Sequence, residues 1–358
     1  MMWVTRPNAD GILDNPGVND ALPRYVDVVR KKAYPKFMIA DSYECRYSRG
    51  DSTENLWAVH DAMLGGFKEA QNGTKKKPKS IARSFLTLKT LIAHRTMRDC
   101  SFCERDCGVD RVHGQRGYCG AGRNFSLFSA FPHMGEEPEL VPSGTVFTGG
   151  CSIKCIHCQN FDISQWGSGG TSLTPEMMAI QVKELAKAGC RNLNMVGGDP
   201  TPYLWHWLET FRNVKERIAT VWNSNGYHSL ETAKLLAGFI DLYLLDFKYG
   251  NNKCASEISD APGYWEAATR SHLWAKEHGE LIIRVLVLPG HNECCTRPIL
   301  QWIHDELGPM TRMNLMFQYR PEWRANERPE LARGLDVDEI EIARKMAQKI
   351  GLRNLVRD

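Results

Sequence analysis

Apolar and polar positions divide the chain into two unlike parts. From Pro142 to Tyr319, short apolar runs alternate with longer stretches of helical spacing. The runs are Gly144 to Thr148, Asn192 to Val196, Ile218 to Trp222, Ile240 to Phe247, Leu281 to Leu288 and Leu315 to Tyr319. Runs this short, bounded by turn residues, predict six strands. The clearest intervening helix opens at Thr174-Pro175-Glu176, runs to Ala188 and stops at Gly189, with cap, first-turn proline and terminal glycine in their places. Strand, helix, strand in this order predicts parallel pairing with right-handed crossovers. Six units cannot complete an eight-stranded barrel. The expected fold is therefore α/β, a partial (β/α)6 TIM-like barrel or an open sheet, and in either the chemistry gathers at the carboxyl ends of the strands.

Before Pro142 the pattern differs. Residues 1–99 show no strand series but do show helical stretches, such as Glu54 to Ala70 and the spacing of Ile81, Phe85, Leu88 and Ile92. Between them, Gly73 to Ser80 is a polar, lysine-bearing linker. Residues 100–140 are rich in Cys, Gly and Arg and poor in periodicity, as suits a segment folded around a metal. The predicted division is a helical N-terminal extension (1–99), a four-cysteine metal-binding segment (100–140) and the partial barrel (141–358).

Composition narrows the function. With 42% hydrophobic and 24% charged residues over 358 positions, the chain has a globular composition, which excludes wholesale disorder. Its 45 basic and 42 acidic residues leave +3, too balanced to imply a nucleic-acid partner. No apolar run reaches the roughly 18 residues of a transmembrane helix, and MMWVTRPNAD lacks the apolar core of a secretory signal, so a cytoplasmic location is expected. A reducing compartment does not keep disulfides, so the twelve cysteines point to metal or catalysis. Cys45, Cys190 and Cys254 stand alone and read as small core or surface residues.

The others cluster. Cys151-Ser-Ile-Lys-Cys155-Ile-His157-Cys158 follows the first run directly. Three thiolates at that spacing can wrap one corner of a cubane and leave its fourth iron without a protein ligand, where a substrate can bind. A structural zinc would need a fourth ligand, and His157 is too close to Cys158 to serve easily. A second group, Cys100, Cys103, Cys107 and Cys119, offers four ligands and closes a site, either an auxiliary [4Fe-4S] cluster or a single zinc or iron ion. His291, Cys294 and Cys295 follow the fifth run. They could ligand a metal or donate a hydrogen atom, and are read here as a loop with incidental thiols.

The CxxxCxxC followed by Gln159-Asn160 resembles the signature of radical S-adenosylmethionine enzymes, in particular the branch of the pyruvate formate-lyase activating enzyme. The resemblance covers about residues 142 to 321. Gly197-Gly198-Asp199-Pro200 after the second run is similar to the family's GGE-type element, which implies that backbone and carboxylate hold the methionine amino group. Asn223-Ser224-Asn225-Gly226-Tyr227 and Asp246-Phe247-Lys248 are similar to segments that reach the ribose and methionine carboxylate, and the strand carrying Arg284 is again activase-like. Asp199 stands where glutamate is usual, and Asn223 where some relatives carry a cation-binding aspartate. The string from Cys100 to Gly122 is similar to the segment preceding the barrel in one branch of activase-like proteins. The stretch from Cys158 to Gly197 is too short for a ferredoxin-type insert, so any additional metal enters from the amino-terminal side.

The resemblance implies an anaerobic enzyme with [4Fe-4S] and S-adenosylmethionine as cofactors and a flavodoxin- or ferredoxin-type electron donor. Cys151, Cys155 and Cys158 would be the metal ligands, and His157, Gly197, Gly198, Asp199, Ser224, Asn225, Asp246, Lys248 and Arg284 the cofactor contacts. Reductive cleavage would give methionine and a 5′-deoxyadenosyl radical that takes hydrogen from a small-molecule, lipid or peptide substrate, with the N-terminal extension as a lid. The alternative is an activase that places a glycyl radical on a partner protein. More distant readings are an iron–sulfur electron carrier and a zinc-binding module.

Overall fold

The computed structural model describes residues 9, 11–74, 76–166 and 169–356. The start read above for a signal (residues 1–8 and 10) and Lys75 of the linker lie outside the described residues. The strands are β1 (Phe125–His133), β2 (Ser143–Thr148), β3 (Thr171–Leu173), β4 (Asn192–Met195), β5 (Ala219–Ser224), β6 (Leu242–Asp246), β7 (Glu280–Leu286) and β8 (Arg312–Met316). They form one eight-stranded sheet in the order β3-β1-β2-β4-β5-β6-β7-β8. From β2 to β8 every neighbouring pair is parallel.

Six parallel strands were expected; β1 and β3 extend the sheet by antiparallel pairing. β1 corrects the reading of residues 100–140 as aperiodic. Its side chains are half-buried along nearly its whole length, so it lacks an in–out alternation. β8 begins three residues before the predicted run. Arg312 and Asn314 point into the molecule, paired with Glu139 at 2.9 Å and Glu137 at 2.8 Å, so buried polar side chains hide the first half of the strand.

Ahead of the sheet lie α1 (Pro16–Ala21), α2 (Pro23–Val29), α3 (Lys36–Ala40), α4 (Thr53–Gly73) and α5 (Phe85–Thr96). Ser52 and Ser84 cap α4 and α5, accepting from the third amides of those helices. The crossover helices are α6 (Pro175–Lys187), α7 (Leu204–Asn213), α8 (Leu230–Leu236), α9 (Asn252–Ser259), α10 (Tyr264–His278) and α11 (Arg297–Trp302); α12 (Val337–Ile350) follows β8. The expected cap at α6 is present, with Thr174 accepting from Met177 N.

The inner sheet face changes character along the strands. Side chains two apart share a face. Toward the amino ends, Ala219, Val221, Leu242, Leu244 and Ile282 pack with Val18, Leu22, Tyr25 and Val26 of the α1–α2 hairpin. Each fully buried aliphatic side chain there contributes roughly 1.5–3 kcal/mol. The hairpin is pinned by Glu280, whose carboxylate accepts from Arg24 N at 2.6 Å and Tyr25 N at 2.7 Å and so caps a helix that its own sequence leaves uncapped. α1 and α2 thus cover the amino edge of the sheet. α4 and α5 pack on the outside instead, where Phe67 and Phe85 share a core with Phe211 and Phe239. The lid expectation is corrected accordingly: the helical extension lies beneath and beside the sheet, and among the described residues none before Cys151 lines the cavity at the carboxyl edge.

Candidate active site

Toward the carboxyl ends the same face opens into a cavity of about 260 Å³. Cys151, Cys155, His157 and Cys158 reach it from the loop after β2, Gly197 and Gly198 from the loop after β4, and Asn223, Ser224 and Asn225 from the end of β5. Asp246 and Lys248 reach it from β6, and Arg284 from β7. Residues scattered over some 130 positions therefore meet at the edge where strand topology gathers loops.

Local backbone demands explain the glycine pair. Gly197 has φ +71°, and a Cβ there would stand 2.4 Å from Thr148 Oγ1; a Cβ at Gly198 would stand 2.5 Å from Gly150 O. The β4 loop thus lies directly against the cysteine loop, joined by Gly198 N to Thr148 O at 2.7 Å and Asp199 N to Gly150 O at 3.0 Å. Only residues without a side chain allow that approach.

Asp199 lies one layer behind the cavity wall. One carboxylate oxygen accepts from Thr201 N at 2.9 Å; the other accepts from Ser224 Oγ and Asn225 N, both at 2.9 Å. Burial pushes this acid's pKa up, against the pull of those donors. Asp199 was expected to contact a methionine amino group; here both of its oxygens accept from protein donors behind the cavity wall, and the carboxylate holds the β5 loop in place.

The three cysteines are free thiols. Cys151 and Cys155 are buried and Cys158 is half-buried. Ser164 Oγ lies 3.1 Å from Cys158 Sγ, and Asn225 Nδ2 donates to Cys151 Sγ at 3.5 Å and to Ser152 Oγ at 3.2 Å. Burial raises both buried thiols well into their neutral range, with Asp199 adding to it at Cys151 and Lys248 opposing it at Cys155. Three sulfurs converging on a cavity, two of them with a polar side chain at hydrogen-bond distance, suit a cluster whose irons would supply the missing positive charge. His157 is pushed down to about 3 by burial and then by Lys248, so its ring is neutral; its Nε2 lies 3.2 Å from Tyr249 OH.

Charge in the cavity is paired. Lys248 Nζ sits 2.7 Å from Asp246. Burial pulls Lys248 toward neutrality, but Asp246 and Cys155 outweigh it and hold its pKa above the ordinary lysine value. Arg284 was expected as a cofactor contact. It lines the cavity while gripped from behind by Glu137, at 2.8 Å from Nε and 2.7 Å from Nη2, and by Glu136. Burial alone would raise Glu137, but Arg284 overrides it and brings the acid down to about 2. Glu136 and Glu137 were not singled out in the sequence. An acidic pair before a strand reads as solvated surface, and nothing in it shows that the segment turns inward.

The Cys100, Cys103, Cys107 and Cys119 group lies against the cysteine loop. Arg105 Nε donates to Ser152 O at 3.0 Å, and a Cβ at Gly150 would stand 2.4 Å from Cys119 O. Burial raises the Cys103 thiol, the Arg105 amide opposes it, and Cys119, Cys100 and Cys107 add to it. Elsewhere at the same sheet edge, Cys254, His291, Cys294 and Cys295 gather so that their ligand atoms all lie within 4.8 Å of one another. This corrects the reading of Cys254 as solitary. Among the described residues, no other group of three or more metal-ligating side chains is drawn that close.

The Radical SAM superfamily profile matches residues 145–303, the span that carries all of the cavity lining except Met316 and Gln318. An uncharacterised protein of Methanocaldococcus jannaschii is 39% identical over 92% of this chain and 98% of its own length. A second from the same organism is 24% identical over 71% of this chain and 79% of its own. The crystal structure of Streptococcus suis SuiB bound to S-adenosylmethionine is 12% identical, with a TM-score of 0.44 over 58% of this chain and 48% of that one, so the match spans about half of SuiB.

Proposed function

We propose a reaction from one premise: the chain belongs to the same family as the 39% identical Methanocaldococcus jannaschii protein and carries a Radical SAM superfamily domain at residues 145–303. Cys151, Cys155 and Cys158 would hold a [4Fe-4S] cluster with one iron left open. The cluster and S-adenosylmethionine together supply one-electron cleavage to methionine and a 5′-deoxyadenosyl radical, which takes hydrogen from a substrate.

The remaining work belongs to this chain's side chains. Asn225 donates to Cys151 Sγ and Ser164 Oγ pairs with Cys158 Sγ, which orients those two sulfurs. Ser224, Asn225 and Lys248 offer polar contacts to a ligand on the cavity floor, and Asp199 holds the first two at their stations. Arg284, held by Glu136 and Glu137, presents a cation whose direction is set before any ligand arrives. Next in sequence to the cavity-lining Gln159 and Asn160, Phe161 stacks on Trp323 with centroids 6.0 Å apart and meets Trp166 at 5.0 Å. That combination of aromatic and amide surface supports a small-molecule, lipid or peptide substrate.

The four-cysteine group lies against the cysteine loop, where a second iron–sulfur centre would relay electrons from a low-potential donor. The domain boundaries proposed are 1–99, 100–140 and 141–358.

The observation that carries this reading is the single cavity uniting the three cysteines with Gly197, Ser224, Asn225, Asp246, Lys248 and Arg284. Anaerobic reconstitution with iron and sulfide, then dithionite and S-adenosylmethionine, tests it. The wild-type chain is expected to yield 5′-deoxyadenosine and methionine, and Cys155→Ala to lose that cleavage by about a thousandfold or more, on the scale of removing an essential group. Cys190→Ser, outside the cavity, should keep it. Cleavage surviving in Cys155→Ala would overturn the ligand assignment.

A further inference from the structure

We propose that Cys254, His291, Cys294 and Cys295 bind one zinc ion in a closed Cys3His site, separate from the cavity, and that this ion braces the loop bearing Cys151, Cys155 and Cys158.

The geometry is that of one small tetrahedral centre. Two sulfurs bound to a common zinc at about 2.3 Å stand about 3.8 Å apart, and a sulfur and an imidazole nitrogen about 3.6 Å apart. Here Cys254 Sγ lies 3.9 Å from Cys294 Sγ, and Cys294 Sγ 4.0 Å from Cys295 Sγ. His291 Nδ1 lies 3.7 Å from Cys254 Sγ, 3.3 Å from Cys294 Sγ and 4.0 Å from Cys295 Sγ. Four ligand atoms therefore sit near the corners of a tetrahedron of the size zinc requires.

The surroundings fit as well. Asn251 Nδ2 donates toward Cys254 Sγ at 3.3 Å and lies 3.9 Å from Cys295 Sγ, while also holding Cys294 O at 2.8 Å. Such donors stabilise metal thiolates. His291 turns its other nitrogen, Nε2, toward Glu330 at 3.9 Å; that nitrogen is buried and makes no hydrogen bond. A carboxylate on the far side of a ligating imidazole favours a proton on Nε2, the tautomer that leaves Nδ1 free for the ion. Four protein ligands leave no open position, which marks a structural ion and not a catalytic one.

The ion would have something to hold. Cys254 lies in the first turn of α9, and His291, Cys294 and Cys295 lie in the loop between β7 and α11. The last turn of α9 accepts from the cysteine loop, Lys154 N to Ser259 O at 2.7 Å and Ile156 N to Ile258 O at 3.0 Å. Gly250, just before α9, passes so near Cys295 that a Cβ would stand 2.6 Å from its carbonyl oxygen. Fixing the start of α9 against the β7 loop therefore fixes the strip of backbone to which the cysteine loop is bonded.

The test uses the full chain, purified anaerobically from zinc-supplemented cells. Zinc content, iron content and the zinc X-ray absorption edge are measured for wild type, Cys294→Ser, His291→Gln and, as a control, Cys45→Ser. Cys294 is exposed, so its replacement leaves the core intact. The expected result is one zinc per chain with a shell of three sulfurs and one nitrogen in wild type and Cys45→Ser. That zinc is lost in Cys294→Ser and His291→Gln, with iron still bound but amide hydrogen exchange at Lys154 and Ile156 faster than in wild type; unchanged exchange there would overturn the brace. A four-sulfur shell, zinc retained in both ligand variants, iron in place of zinc, or a Cys254–Cys294 disulfide in the anaerobic chain would each overturn the proposal. None of these readings depends on S-adenosylmethionine cleavage, so the proposed reaction and the zinc site can fail separately.

Discussion

The two edges of one sheet carry polar side chains to opposite ends. At the amino edge every prominent charge has a protein partner. Asp241 accepts from Lys36 N at 3.0 Å, Thr220 N at 2.9 Å and Thr220 Oγ1 at 3.1 Å, Glu280 caps α2, and Arg312 is paired with Glu139. At the carboxyl edge Asn223, Asp246, Lys248 and Arg284 are held in place from behind yet still face a cavity. The amino edge is closed by α1 and α2, whereas three thiols rim the opening at the other. Polar burial thus fastens the fold at one edge and aims side chains at a ligand at the other, and the partners distinguish the two uses.

The largest expected effect lies at the closed edge. Asp241→Ala strips the Lys36 and Thr220 amides of their acceptor and removes the carboxylate that lies 3.8 Å from Arg24. Breaking a fully buried network of this kind costs about 3–5 kcal/mol. Urea unfolding should show that loss, while S-adenosylmethionine cleavage per folded chain stays at the wild-type level. A fall in cleavage beyond the loss of folded chain would break the division between the edges. At the open edge, Asp199→Asn should do the reverse. The loop loses an acceptor that positions Ser224 and Asn225, and cleavage should fall about a hundredfold, equivalent to about 2.7 kcal/mol. The apparent KM for S-adenosylmethionine should rise and iron content should hold. An unchanged KM would show that Asp199 does not position the ligand contacts.

The open edge was the more legible from sequence, and the reason is physical. Chemistry there needs particular residue types at fixed spacing, so CxxxCxxC, Gly197-Gly198 and Asp246-Phe247-Lys248 stand out, and each falls at the end of a strand visible as an apolar run. Asp199 was noticed for the same reason, yet its task was misread, because spacing shows where a carboxylate sits and not which way its oxygens are committed. The closed edge depends on pairings between distant residues. Glu280 and the α2 amides, and Glu139 and Arg312, each join partners more than a hundred positions apart, as do Glu137 and Arg284 behind the open edge, and no local pattern marks any of them. The same distance hid the Cys254 group, whose first member precedes the other three by a helix and a strand.

The finest comparison is between Glu280 and the acids of the open edge. Burial pushes Glu280 up to about 7, ahead of the opposing pulls of the Tyr25 and Arg24 amides, Lys36 and the Arg24 side chain. An acid whose pKa is raised in the folded state binds a proton there that the unfolded chain has released, so folding is favoured at lower pH. That contribution is whole below the ordinary glutamate value near 4.5 and is lost as pH rises through about 7. One proton limits the slope to about 1.4 kcal/mol per pH unit, so from pH 6 to 7 the change stays below that figure. Glu137 titrates in the opposite sense. Held down to about 2 by Arg284, it contributes stability that is present above the ordinary glutamate pKa and is lost only as pH falls toward 2. Melting temperatures of the chain between pH 5 and 8 should therefore decline gently, and Glu280→Gln should flatten the decline while leaving the acid limb below pH 4 in place. A variant that removed both limbs would show that the two edges share one electrostatic network, and the separation drawn from their partners would fall.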